Sequence, residues 1–255
     1  MTQEMSRARR LVAEAGRVVV LSGAGISAES GVPTFRGEGG LWRSYRPEEL
    51  ATPEAFARDP RLVWEWYAWR RELVASCIPN AGHLALARFA LAGTPTAIVT
   101  QNVDGLHTRA AEEAAGTGDP SPALPIEVHG AIHRDKCSGC DARTPALPEV
   151  DVSSPQALPR CAECEGMLRP DVVWFGEALE SEVVAHAFRV AHEADLCLVV
   201  GTSAVVHPAA SVPLATLQNG GTLVEVNLER TPLTGQAEVT LLGPAGELLP
   251  ELLAG

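Results

Sequence analysis

Four of the six cysteines fall into two C-x-x-C pairs, Cys137 with Cys140 and Cys161 with Cys164, twenty residues apart. Two such knuckles brought together offer four thiolates in tetrahedral reach, the ligand set of a zinc ribbon. Four thiolates close the coordination shell, so a metal held there is structural. An iron–sulfur centre is the alternative for four cysteines, and evenly paired knuckles favour zinc over it. No apolar segment follows the N-terminal MTQEMSRARR, so no export signal is expected, metal takes precedence over disulfides, and the expected location is cytoplasmic. Cys77 and Cys197 fall in helix and strand patterns and read as ordinary buried residues.

Outside this stretch, short apolar runs rich in β-branched residues alternate with helical patterns. Residues 17–22, 96–100, 196–200, 222–227 and 238–242 read as strands without a polar face, as in a parallel sheet covered on both sides. Helices are expected over about residues 6–15, 83–92, 180–194 and 208–218, with Gly16, Gly93 and Gly220 as stops. The fold class is therefore α/β, a doubly wound, Rossmann-like parallel sheet, with ligands at the carboxyl ends of its strands. Two stretches interrupt the alternation. One holds four of the five tryptophans and two helices, the first capped by Thr52 with Pro53 in its first turn and the second over residues 60–76. The other is the cysteine region, and residues 116–125 between them read as a plain loop. The expected division is a nucleotide-binding domain of residues 1–40, 80–130 and 170–255, a helical insertion of 41–79 and a zinc module of 131–169.

With 255 residues, 46% of them hydrophobic, the chain can bury a substantial core without disulfides. A net charge of -12 argues against nucleic acid and anionic membranes as partners, and no apolar run reaches the length of a membrane span. A monomer is the simplest expectation.

Gly23, Ala24 and Gly25 follow the first strand, where a tight turn lets backbone N–H groups approach a pyrophosphate. The third glycine is Gly31, and Ala28 stands where the usual dinucleotide fingerprint has glycine, so a purely structural turn stays open. The polar, glycine-punctuated continuation through Gly37 is longer than a strand-to-helix turn needs and suits a binding loop. After the strand at 96–100 comes Gln101-Asn102-Val103-Asp104-Gly105-Leu106-His107, whose amides suit ribose hydroxyls and a carboxamide, or else simply cap the next helix. Gly201-Thr202-Ser203 and Asn227-Leu228-Glu229 end two later strands in the same way.

These motifs, in this order, resemble the sirtuin family over about residues 17–249. The resemblance implies an NAD-dependent protein lysine deacylase that consumes NAD as co-substrate and carries one structural zinc. It implies that Gly23, Ala24, Gly25, Phe35, Arg36 and Trp42 belong to the NAD-binding loop, and that Gln101, Asn102, Val103 and Asp104 surround the nicotinamide and its ribose. Gly201, Thr202, Ser203, Asn227, Leu228, Glu229 and Ala245 would hold the adenosine half. His129, in the Val128-His129-Gly130 step, would be the general base, ahead of His107 and His133. An unperturbed imidazole titrates near 6.5, which suits that work. Val173, Trp174 and Phe175 resemble the segment that takes up substrate as an added strand.

Tyr67 and Arg70, at i and i+3 of one helix, share a face. They resemble the Tyr-x-x-Arg pair of the class III branch, which lines the acyl pocket and binds the carboxylate of succinyl, malonyl or glutaryl lysine, while Arg71 is expected in water. The products implied are free lysine, nicotinamide and O-acyl-ADP-ribose. A plain lysine deacetylase, a mono-ADP-ribosyltransferase and an NAD-sensing binding module are the alternatives.

Overall fold

The computed structural model describes residues 2–34 and 46–254. In chain order the strands are β1 (Val18–Ser22), β2 (Thr96–Thr100), β3 (Pro125–Glu127), β4 (Gly130–Cys137), β5 (Arg143–Pro145), β6 (Leu168–Val172), β7 (Leu196–Val200), β8 (Thr222–Asn227) and β9 (Val239–Leu242). The helices are α1 (Gln3–Glu14), α2 (Pro47–Leu50), α3 (Pro53–Arg58), α4 (Pro60–Ser76), α5 (Ala81–Leu91), α6 (Leu106–Ala115), α7 (Ser181–His192), α8 (Val212–Gln218) and α9 (Ala245–Leu253). Among the described residues no helix is long and apolar enough to cross a membrane.

The large sheet is parallel throughout, in the order β3-β2-β1-β7-β8-β9, with Ser22 level with Thr100 on one side and Val200 on the other. Side chains alternate between its two faces, and both faces are covered. Val18, Val20, Leu196 and Leu198 pack toward α1, α5 and α9, whereas Val19, Leu21, Cys197 and Val199 pack toward α7 and α8. This is why the strands read as unbroken apolar runs. The chain winds outward from β1 through β2 to β3, returns to β7 beside β1, and winds outward again. The switch point between β1 and β7 opens a crevice at their carboxyl ends.

A second, antiparallel sheet in the order β5-β4-β6 carries the cysteine region, and α2, α3 and α4 pack over it around Trp64, Tyr67, Ile132 and Trp174. Thr52 caps α3 as expected, its hydroxyl accepting from Ala55 N at 3.0 Å. Two expectations are corrected. Residues 116–125 are not a plain loop: they contain a 3-10 turn at Ser121–Ala123, and Pro125 opens β3. A proline is tolerated there because β3 is the edge strand. The helix expected from residue 208 begins at Val212, with Pro213 in its first turn.

Arg71 is also corrected. Its side chain is only 11% exposed and pairs at 2.5 Å with Asp135, which is fully buried. It also donates to the carbonyls of Ile132 at 2.8 Å and Arg134 at 3.3 Å, and its guanidinium lies over the Trp64 ring. Helical spacing placed it beside solvent, but β4 covers that face of α4. Asp135 also accepts from Leu147 N, so this pair ties the helical insertion to the small sheet. Removing one partner of a buried pair strands the other charge. Arg71→Met is expected to lower unfolding free energy by about 3–5 kcal/mol, with Arg71→Met/Asp135→Asn recovering part of the loss in urea titrations.

Candidate functional site

The glycine turn forms the floor of the crevice. Residues 24–30 make a 3-10 turn, and the turn after β7 crosses directly over it. Gly25 N donates to Gly201 O at 2.7 Å, and Gly23 N donates to Val200 O at 3.0 Å. A Cβ on Gly25 would lie 2.7 Å from Gly201 Cα, and one on Gly201, whose φ is +57°, would lie 2.4 Å from Ile26 N. The glycines are therefore required by the approach of two backbones. Their own N–H groups are taken within the protein, which corrects the expectation that these two donors face a pyrophosphate.

Amide side chains tie the neighbouring segments together. Gln101 Nε2 donates to Thr202 Oγ1 at 2.9 Å, Asn227 Nδ2 to Thr202 O at 2.7 Å, and Asn102 Nδ2 to Gly23 O and Ser27 Oγ, both at 3.1 Å. Val103 is buried and its carbonyl accepts from Ile132 N, while Ser203, Leu228 and Glu229 are exposed at the rim. Asp104 is buried, and its Oδ1 accepts from Leu106 N at 2.9 Å, an Asx turn leading into α6, whose N-cap position is Gly105. Ala245 starts α9, and the next amide, Gly246 N, donates to Glu29 at the end of the 3-10 turn. Phe35, Arg36 and Trp42 lie outside the described residues.

Beneath this floor lies a buried polar network that joins His107 to Asn80 and His83, two residues not singled out from the sequence. Asn80 caps α5 and donates through Nδ2 to Ile26 O at 2.7 Å. His83 Nδ1 accepts from Asn80 N, leaving Nε2 as the donor toward Ser27 Oγ at 3.4 Å. His107 Nε2 lies 2.8 Å from Ser22 Oγ, which donates to Thr100 Oγ1. Burial holds both imidazoles neutral, with the His83 pKa lowered to about 2 and that of His107 to about 4. The signal available in the sequence was the Asn80-x-x-His83 spacing of a capping box.

His129 follows β3 and stands at the junction of the two sheets. Its Nδ1 lies 3.0 Å from Gln101 O, and a carbonyl only accepts, so Nδ1 carries the proton and Nε2 holds a basic lone pair. Burial lowers its pKa, partly offset by that bond. Gly130, with φ of +78°, is needed beside it, because a Cβ there would lie 2.1 Å from Asp171 O. Val173 N donates back to His129 O at 2.9 Å.

The predicted substrate segment is not part of β6, which ends at Val172. Trp174 N donates to Glu177 and Phe175 N to Ala51 O, so the amide donors of Val173, Trp174 and Phe175 are all taken. Phe175 is 44% exposed, whereas Trp174 is buried. Tyr67 and Arg70 are 1% and 5% exposed. Tyr67 OH accepts from Trp174 Nε1 at 2.9 Å, and the Arg70 guanidinium lies 4.9 Å from the Trp66 ring centroid. Burial pushes the Arg70 pKa down, opposed by Tyr67 and Asp104.

The four sulfurs of Cys137, Cys140, Cys161 and Cys164 lie within 4.8 Å of one another. The sulfurs of Cys137 and Cys164 lie 3.4 Å apart and those of Cys140 and Cys161 3.7 Å apart, near the spacing of about 3.8 Å that tetrahedral Zn–S bonds give and far from a disulfide. In each knuckle the amide two residues after the first cysteine faces its sulfur, and the residue after the second cysteine, Asp141 or Glu165, has positive φ. The cluster fits one structural zinc.

The Sir2 family model matches residues 23–208. The chain is 49% identical to an NAD-dependent protein deacylase of Pyrococcus furiosus, over 96% of this chain and 94% of that protein. It is 47% identical to NAD-dependent protein deacylase 1 of Archaeoglobus fulgidus, with the same coverage. Among solved structures, a Sir2 homolog–NAD complex superposes with a TM-score of 0.87 at 45% identity, covering 98% of this chain and 92% of that one. A Sir2 complex with a p53 peptide and NAD+ gives 0.85 at 30% identity, covering 100% and 98%. The chain belongs to the Sir2 family, the sirtuins.

Elemental analysis of purified protein is expected to give one zinc per chain. Stripping it with a strong chelator is expected to lower the melting temperature and abolish activity, because the two cysteine knuckles are joined by no disulfide and binding free energy of the metal is folding free energy there.

Proposed function

We propose that this sirtuin uses NAD to remove acyl groups from protein lysines, and that it prefers short acyl chains ending in a carboxylate. The relatives named above support the first part, since they are NAD-dependent protein deacylases and Sir2 proteins that bind NAD and a peptide. The observation that carries the second is the pair formed by Tyr67 and Arg70. A guanidinium buried among aromatic rings is stabilised by a carboxylate that enters beside it. Such a charge-assisted bond contributes roughly 1.5–3 kcal/mol, about 10-fold to 150-fold in preference. Acetyl-lysine offers no such partner and is the weaker substrate.

In this reading NAD lies over the glycine turn, with its adenosine half toward Gly201–Ser203, Asn227–Glu229 and Ala245, and its nicotinamide end toward Gln101–Asp104. Gly23 and Gly25 shape the floor, and Phe35, Arg36 and Trp42 belong to the covering loop. His129 Nε2 takes a proton from a ribose hydroxyl. The substrate backbone lies along Val173, Trp174 and Phe175 and is held by groups other than their three committed amides. The residues of the helical insertion close the acyl end, and the zinc module supports the segment leading to Val173.

On one peptide bearing succinyl, glutaryl or acetyl lysine, kcat/KM is expected to be about tenfold or more higher for the acidic acyl groups. Arg70→Met is expected to erase that difference, and equal rates insensitive to Arg70→Met would refute the preference. The lowered pKa of His129 gives a pH prediction. The free base persists below pH 6.5, so log kcat/KM is expected to fall with unit slope only on the acid side of that value. His129→Gln is expected to abolish turnover, as followed by nicotinamide release.

A further inference from the structure

Resting on the reading of Tyr67 and Arg70 as the acyl pocket, we propose that the ion pair Arg169–Glu177 is a positioning element for acyl selectivity. It holds the Trp174 indole so that Tyr67 is left as a hydrogen-bond donor.

A tyrosine hydroxyl has one proton to donate and lone pairs to accept, whereas an indole N–H can only donate. The 2.9 Å contact between Trp174 Nε1 and Tyr67 OH therefore makes the tyrosine oxygen the acceptor, and its own proton must be directed to another group. A hydroxyl oriented in this way favours an acyl terminus that presents oxygen lone pairs, and a methyl gives it nothing. Burial also pushes the Tyr67 pKa up, so the proton stays in place.

The orientation depends on what fixes the indole. The Arg169 guanidinium lies 3.4 Å from the Trp174 ring centroid, and the tilted Phe56 ring is 5.2 Å away. A cavity of about 470 Å³ touches Phe56, Trp174, Arg169 and Glu177, so packing does not enclose this group from every side. Arg169 is itself held twice. It pairs with both carboxylate oxygens of Glu177, and Nη2 donates to Val172 O at 2.6 Å. Glu177 Oε2 also accepts from Trp174 N at 2.8 Å. One carboxylate thus fixes both the main chain of the substrate segment and, through Arg169, the ring that addresses Tyr67. Glu177 and Arg169 reach the acyl group only through Trp174 and Tyr67, so their role is positioning.

The test is the ratio of kcat/KM on succinyl and acetyl versions of one peptide, measured for the wild type, Trp174→Phe, Glu177→Gln and Tyr67→Phe. Partial misfolding lowers both rates of a variant together and cancels in the ratio. Trp174→Phe keeps a ring under Arg169 but removes the indole donor. Glu177→Gln keeps an acceptor for Trp174 N but removes the charge pair. Both are expected to lower the ratio about fivefold or more, mainly by raising KM for the succinyl peptide. If Tyr67→Phe lowers the ratio but either of the other two leaves it unchanged, the positioning role is overturned and the pocket reading stands. If the wild type shows no preference and Tyr67→Phe changes nothing, the pocket reading itself falls and takes this inference with it.

Discussion

The turns after β1 and β7 meet backbone to backbone, with Gly25 and Gly201 so close that neither tolerates a Cβ. The parallel register forces this crossing, since Ser22 and Val200 end level with each other and both chains must leave the sheet at the same edge. Everything at the crevice is placed relative to that contact. Gln101 and Asn227 brace Thr202 beside it, Asn102 braces Gly23, and Asn80 and His83 hold the underside of the 3-10 turn. The polar side chains of this floor are thus committed to partners within the protein.

The small sheet has a different basis. Metal-ligand geometry closes its cysteine end, its apolar side chains share a core with α2, α3 and α4, and charge sets how it meets its neighbours. Arg71 and Asp135 tie it to α4, while Arg134 bridges Glu127 of β3 at 2.8 Å and Asp171 of β6 at 3.1 Å. Arg143 continues the chain from Asp171 to Glu180, next to α7. Buried and half-buried charges of this kind are directional, so they fix how the two sheets meet beside His129.

The segments that meet at the crevice were legible because their motifs are local in sequence and sit at strand ends. The zinc ligands needed only spacing, and each expected strand of the large sheet is present. His83 was missed because a single histidine at a helix start carries no periodic signal, and its partner Ser27 is 56 residues away. Arg71 was misplaced because helical periodicity defines faces without saying what covers them. The donors of Val173, Trp174 and Phe175 look available in sequence because nothing there shows that β6 ends at Val172, after which His129 O, Glu177 and Ala51 O take them.

The sequence by itself determined the elements and the chemistry each could carry: apolar β-branched runs that must be buried on two faces, glycines where no side chain fits, and four thiolates at ribbon spacing. Tertiary structure alone decided which polar groups are already committed. Hydrogen-bond donors are satisfied by partners distant in sequence, and residue order does not reveal which loops cross. That is why Gly23 and Gly25 shape the floor of the crevice with their own amides turned inward to Val200 and Gly201, and why the hydroxyl of Tyr67 accepts from a tryptophan 107 residues further along the chain.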